Sequence, residues 1–172
     1  MTGPTLVAGV GNIFLGDDGF GPEVARRLAQ ASLPDGVRVA DYGTSGMHLA
    51  YDLASGYGTA ILVDAAPRGE TPGTVTLLEA DMALAQRNES QVAISRLFDG
   101  HGMPPDVVLS VLGMLGSEAL RILVVCCEPA RVDYRMELSG PVAAAVDDAV
   151  QIITGLVSAG QPPATAARPG DE

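Results

Sequence analysis

Three short runs narrow the folds open to this chain. Thr5-Leu-Val-Ala-Gly-Val10, Thr59-Ala-Ile-Leu-Val63 and Arg121-Ile-Leu-Val-Val-Cys-Cys127 are apolar at nearly every position instead of alternating. A strand with one wet face alternates, so a continuously apolar run must be covered on both faces, as in a parallel sheet. Between these runs stand segments with helical spacing. They are Gly21–Ala31 with Val24, Leu28 and Ala31 on one face, a short one over Met47–Ala54, Asp106–Leu115, and the amphipathic Gly140–Val157. Pro22 suits the first turn of a helix. Val37–Asp41 reads as a further strand, and Thr74–Leu78, after Thr71-Pro72-Gly73, as one added behind a turn. The pattern predicts one α/β domain, a three-layer α/β/α sandwich around a mostly parallel twisted sheet. That domain is expected to span residues 1–160, with the Pro- and Ala-rich residues 161–172 a disordered tail.

Composition removes several classes of function. With 47% hydrophobic and 18% charged residues, the chain can bury a core and is not a disordered protein. Its 10 arginines face 21 acidic residues, a formal charge of −11, and lysine is absent. No basic stripe can form to neutralise phosphates, so neither nucleic acid nor an anionic membrane is an expected partner. Met1-Thr-Gly-Pro4 has no basic leader character, and no apolar run approaches the roughly 18 residues needed to span a bilayer. Cys126 and Cys127 are adjacent on a strand and point to opposite faces, so a disulfide between them would be strained. They read as small buried hydrophobes of a reduced, cytoplasmic protein, for which a monomer is expected.

In parallel sheets, ligands bind beyond the carboxyl ends of the strands. Three segments deliver polar residues there: the loop after the first strand, Asp64 at the end of the third, and the loop around His101. Gly9-Val-Gly11-Asn12-Ile-Phe-Leu-Gly16-Asp17-Asp18-Gly19-Phe20-Gly21 is the most informative of these. It is not a dinucleotide fingerprint, because the third glycine would fall at Phe14 and a pyrophosphate would meet Asp17 and Asp18. A phosphate-binding loop of the Walker type needs a lysine.

The stretch resembles the signature of the nickel–iron hydrogenase maturation endopeptidases, which carry Gly-x-Gly-Asn, a short apolar run, then Asp-Asp or Asp-Glu-x-x-Gly. Further segments are similar in order and spacing: Asp41-Tyr42-Gly43-Thr44-Ser45-Gly46, Val63-Asp64-Ala65, Pro72-Gly73-Thr74, His101 with Asp106-Val-Val-Leu109, and Glu128-Pro129. The resemblance covers about residues 5–155. It implies that Asp18, Asp64 and His101 contact a metal, with Asp18 and Asp64 the catalytic carboxylates. It also implies that Asp41, Gly43 and Thr44 bind substrate. The metal would be nickel carried by the substrate, with no tightly bound cofactor of the enzyme's own. The partner would be a hydrogenase large-subunit precursor, relieved of its C-terminal extension after nickel insertion by aspartic-type or substrate-metal-aided hydrolysis. Two positions differ from the pattern: some members have Glu where Asp18 stands, and Tyr42 replaces a small residue.

Two carboxylates and an imidazole suit nickel or zinc with coordination positions left open. Taken from the residues alone, Asp18 could equally cap a helix and Asp17 form an Asx-turn. The resemblance assigns Asp18 to the site and leaves Asp17 as a cap. Asp64 follows four apolar residues, where an unpaired charge is costly. Thr44 and Ser45 could cap the helix they precede, His48 reads as structural, and Asp147-Asp148 as a solvated face. Ser45 lacks the Gly-x-Ser-x-Gly setting of a nucleophile, and the cysteines have no histidine partner. The rival functions are a nickel-checking binding protein that cuts nothing and, more distantly, a nucleotide-binding regulatory domain.

Overall fold

In the computed structural model, residues 3–80 and 120–159 are described. The helix expected over Asp106–Leu115, His101 and the expected tail lie outside them. Five strands form one sheet in the order β2-β1-β3-β5-β4, with β1 Thr5–Val10, β2 Val37–Gly43, β3 Thr59–Ala65, β4 Val75–Ala80 and β5 Arg121–Cys127. The first four neighbours in that order run parallel, and β4 joins β5 antiparallel at one edge. Helix α1 (Phe20–Ala29) and helix α3 (Gly140–Ser158) pack on one face, and α2 (Gly46–Leu53) on the other.

The apolar runs behave as their composition requires. Every residue of β1 is buried, and successive side chains divide between two cores. Leu6, Ala8, Ala60, Leu62, Ile122, Val124 and Cys126 meet Leu49 and Leu53 of α2. Val7, Ile61, Val63, Leu123, Val125 and Cys127 meet Phe20, Val24 and Leu28 of α1 and the apolar side of α3. The two cysteines are free and point into opposite cores.

Helix α3 corrects one expectation. At 19 residues with a mean hydropathy of 1.3 it is long and apolar enough to cross a membrane, against the expectation that no apolar run approaches that length. Its apolar stripe, Val142, Ala145, Val146, Ala149, Ile153 and Leu156, is buried in the α1-side core. Asp147 and Asp148 sit on the exposed side, where Asp147 pairs with Arg27 of α1. A helix used in this way is a core helix.

Chain order places the site. From β1 the chain goes through α1 to β2 on one side, then through α2 to β3 on the opposite side of β1. The connections therefore diverge between β1 and β3, the position where open parallel sheets form a ligand crevice. Helix α1 enters against this gap. A Cβ on Gly21 would stand 2.3 Å from both the Val10 and the Val63 carbonyl oxygens, so only glycine lets the helix reach the two strand ends. Gly21→Ala is expected to cost about 1–3 kcal/mol, as overpacking against fixed backbone does. Urea denaturation checks this, and an unchanged midpoint would show that α1 can back away from the gap.

Candidate active site at the carboxyl edge of the sheet

The loop after β1 is folded tightly over the strand ends. Gly11 has φ of +143°, and a Cβ there would meet the Asp18 carbonyl oxygen at 1.9 Å. This close approach brings residue 18 back over the start of its own loop. The Asn12 N–H donates to Asp18 Oδ2 at 2.7 Å, and the Phe14 N–H donates to Asn12 Oδ1 at 2.9 Å. Asp18 is half-buried. One turn of 3₁₀ helix, Gly16–Gly19, carries it and packs against β3.

Asp64 lies inside β3, one residue before its end, opposite Cys126 of β5. It is only 2% exposed, and its Oδ1 accepts the Ala65 N–H at 2.8 Å. Since Gly9 pairs with Val63, Asp64 begins where β1 is ending, next to the loop that carries Asp18. Asp18, in the loop after β1, and Asp64, near the end of the neighbouring β3, thus both lie at the carboxyl edge of the sheet beside the gap between these strands. His101, the third residue of the expected trio, lies outside the described residues. Among the described residues, no group of three His, Cys, Asp or Glu side chains converges closely enough to hold a metal ion.

Asp41, Gly43 and Thr44 lie on the other side of β1. The Gly11 N–H donates to the Gly43 carbonyl at 2.9 Å, which ties this segment to the Asp18 loop. Asp41 is exposed and turns its Oδ1 back to the Gly43 N–H at 2.8 Å, and Thr44 is exposed as well. Ser45 occupies the cap position of α2 without a side-chain hydrogen bond, so neither Thr44 nor Ser45 caps as expected. Tyr42 is buried, and its hydroxyl donates to Asp52 Oδ2 of α2 at 2.5 Å. Burial first, then that carboxylate, push its phenol well above the usual range. The residue that departs from the pattern therefore fastens β2 to α2. His48 is exposed on α2, whose core side is Leu49, Ala50 and Leu53, so its structural reading fails too.

Asp17 is the largest correction. It caps no helix and makes no Asx-turn; it is fully buried. Its Oδ2 accepts the N–H groups of Ala130 and Arg131 at 2.8 and 2.9 Å and the Ser139 hydroxyl at 2.9 Å, while Oδ1 accepts the Ser139 N–H at 2.6 Å. Burial pushes the carboxyl pKa up. The bonds from the Ser139 N–H, the Arg131 N–H, the Ser139 hydroxyl and the Ala130 N–H outweigh it, and the net is below the ordinary 3.8. The carboxylate thus bolts the turn carrying Asp18 to the segment between β5 and α3. The sequence offered one hint, since of two adjacent aspartates only one can face the site.

With the carboxylate-bearing gap defined, the comparisons decide the family. The model of the hydrogenase maturation proteases matches residues 22–156. The chain belongs to the hydrogenase maturation protease family. A Methanocaldococcus jannaschii protein assigned to these proteases is 34% identical over 154 residues, covering 87% of this chain and 94% of the relative. The crystal structure of a hydrogenase 2 maturation peptidase from a Thaumarchaeota archaeon is 32% identical with a TM-score of 0.66, covering 91% of this chain and 98% of that one. The Escherichia coli hydrogenase maturating endopeptidase HybD is 29% identical with a TM-score of 0.70, covering 91% and 94%.

Both of its thiols are buried in the cores beside the sheet. Burial, then the carboxylate of Asp17, pushes Cys127 up to about 12, and burial also raises Cys126, so both are protonated and non-nucleophilic near neutrality.

The Asp17 bonds generate a pH signature. A carboxyl held below its unfolded value adds stability that is fully present above about pH 4 and lost as pH falls through the lowered folded value. Asp17→Asn is expected to cost about 1–3 kcal/mol at pH 7, since an amide faces four donors with one acceptor atom. It should also flatten the loss of stability below pH 4. Denaturation curves from pH 7 down to pH 2 check both, and an unchanged acid limb would mean that Asp17 is not the group responsible.

Proposed function

We propose that this protease removes the C-terminal extension of a nickel–iron hydrogenase large-subunit precursor in the cytoplasm, after nickel has been inserted. The observation that supports the reading is that Asp18, in the loop after β1, and Asp64, near the end of β3, stand at the carboxyl edge of two neighbouring strands, one half-buried and one buried. Nickel belongs to the substrate. Asp18, Asp64 and His101 complete its coordination, which fixes the scissile segment beside the carboxylates and makes attack effectively intramolecular. A water molecule adds to the scissile carbonyl carbon, and one carboxylate takes its proton. The proton passes to the leaving amide nitrogen as the C–N bond breaks. Asp41, Gly43 and Thr44, tied to the same loop through Gly11, bind the substrate chain on the β2 side. An enzyme that borrows its metal from the substrate can test whether nickel is present before it cuts.

Family membership favours cutting over a nickel-checking protein that leaves the precursor intact. Nickel-loaded and nickel-free precursor, each incubated with the protein, distinguish the two. The expected result is a mobility and mass shift with the nickel-loaded precursor only. Asp18→Asn, Asp64→Asn and His101→Ala should each lower the rate roughly a hundredfold or more. Equal cutting of nickel-free precursor would remove nickel from the reading, and specific binding without any cutting would favour the checking protein.

A further inference from the structure

Of the seven large apolar side chains left exposed among the described residues, five belong to the two segments joined by Asp17. Ile13 and Phe14 lie in the loop that carries Asp18, and Val132, Tyr134 and Met136 in the segment between β5 and α3. Phe14 is 57% exposed and Tyr134 94%. The segments are also joined through their backbones. Leu15 bridges Arg135 in a single parallel pairing, the Gly16 N–H donates to the Arg135 carbonyl at 2.7 Å, and the Arg135 N–H donates to the Phe14 carbonyl at 3.1 Å. Phe14 and Tyr134 are each the residue just before a member of the bridged pair, which sets the two exposed side chains on adjoining segments.

A monomeric surface rarely gathers exposed aromatics on one rigid spot unless something covers them. Several observations bear on what does. Residues 131–137 hold Arg131, Asp133, Arg135 and Glu137, which sum to no net charge on a chain carrying −11. A second copy would bring another −11 and be repelled, whereas a neutral apolar chain would not. The patch continues into the site, because Asn12 links Phe14 to the Asp18 carboxylate by consecutive hydrogen bonds of 2.9 and 2.7 Å. It is also held in place before anything binds, so covering it costs little ordering of the enzyme.

We infer that Ile13, Phe14, Val132, Tyr134 and Met136 form a docking platform for apolar side chains of the protein substrate flanking the bond to be cut. This inference rests on the proposed function, and it separates gripping the chain from the chemistry at Asp18 and Asp64. Both aromatic rings are on the surface, so the double variant Phe14→Ser/Tyr134→Ser should fold with an unchanged melting temperature. In steady-state cleavage of nickel-loaded precursor, KM is expected to rise about tenfold or more while kcat stays at the wild-type value. Unchanged KM in a wild type that cuts would overturn the platform and leave the proposed function standing. Sedimentation showing a wild-type dimer that the double variant breaks, with KM unmoved, would assign the patch to a second copy and also overturn it. A wild type that cuts no precursor overturns the proposed function and this inference with it.

Discussion

A buried carboxylate with no counter-ion among its hydrogen-bond partners holds the working edge of this protein together. Asp17 sits out of solvent and is compensated by three backbone N–H groups and one hydroxyl, all from residues 130–139. Such a charge is costly to bury, and each charge-assisted bond contributes about 1.5–3 kcal/mol, so the four bonds together offset the burial and strengthen the joint between the two segments. Backbone bonds support the same junction: the Gly16 N–H donates to the Arg135 carbonyl, the Arg135 N–H to the Phe14 carbonyl and the Asp17 N–H to the Arg131 carbonyl.

The two aspartates of Asp17-Asp18 divide the work that a rigid strand would otherwise do alone. Asp64 needs no clamp, because β3 is hydrogen-bonded on both sides, to β1 and to β5. Asp18 comes from a loop and is placed by three constraints: the close approach at Gly11, the Asn12 N–H and the Asp17 anchor one residue away. The gap they line exists because β1 and β3 are neighbours although their connections leave in opposite directions. Helix α1 closes its floor by way of Gly21. Fold and site are in this sense one object. The glycines that let the elements approach are the same ones that make up the loop signature.

What was legible in the sequence was local or periodic. Continuous apolar runs announced β1, β3 and β5, because burial on both faces leaves no position free to be polar. Asp64 stood out as a charge at the end of such a run. Asp18 became readable only through its motif, since a half-buried loop aspartate has many bland explanations. Asp17 was misread because its partners lie 113 to 122 residues away, and no local rule connects them. Tyr42, a change from the pattern beside the expected binding segment, gives no sign in the sequence of its tie to Asp52 on α2. The exposed run Val132 to Met136 carried no periodic signal, so its apolar content became meaningful only once the fold set it beside Phe14.

The claim on which the functional reading turns is that nickel on the substrate acquires ligands from this protein. X-ray absorption at the nickel edge reads that directly, on nickel-loaded precursor alone and on the same precursor bound to the Asp64→Asn protein. Binding is expected to add oxygen or nitrogen neighbours at about 2.0–2.2 Å, the range of carboxylate and imidazole ligands to a comparable ion. Further substitution of Asp18 by Ala should remove one of them. A nickel spectrum that is identical in the free and the bound precursor would contradict the coordination of substrate nickel by this site.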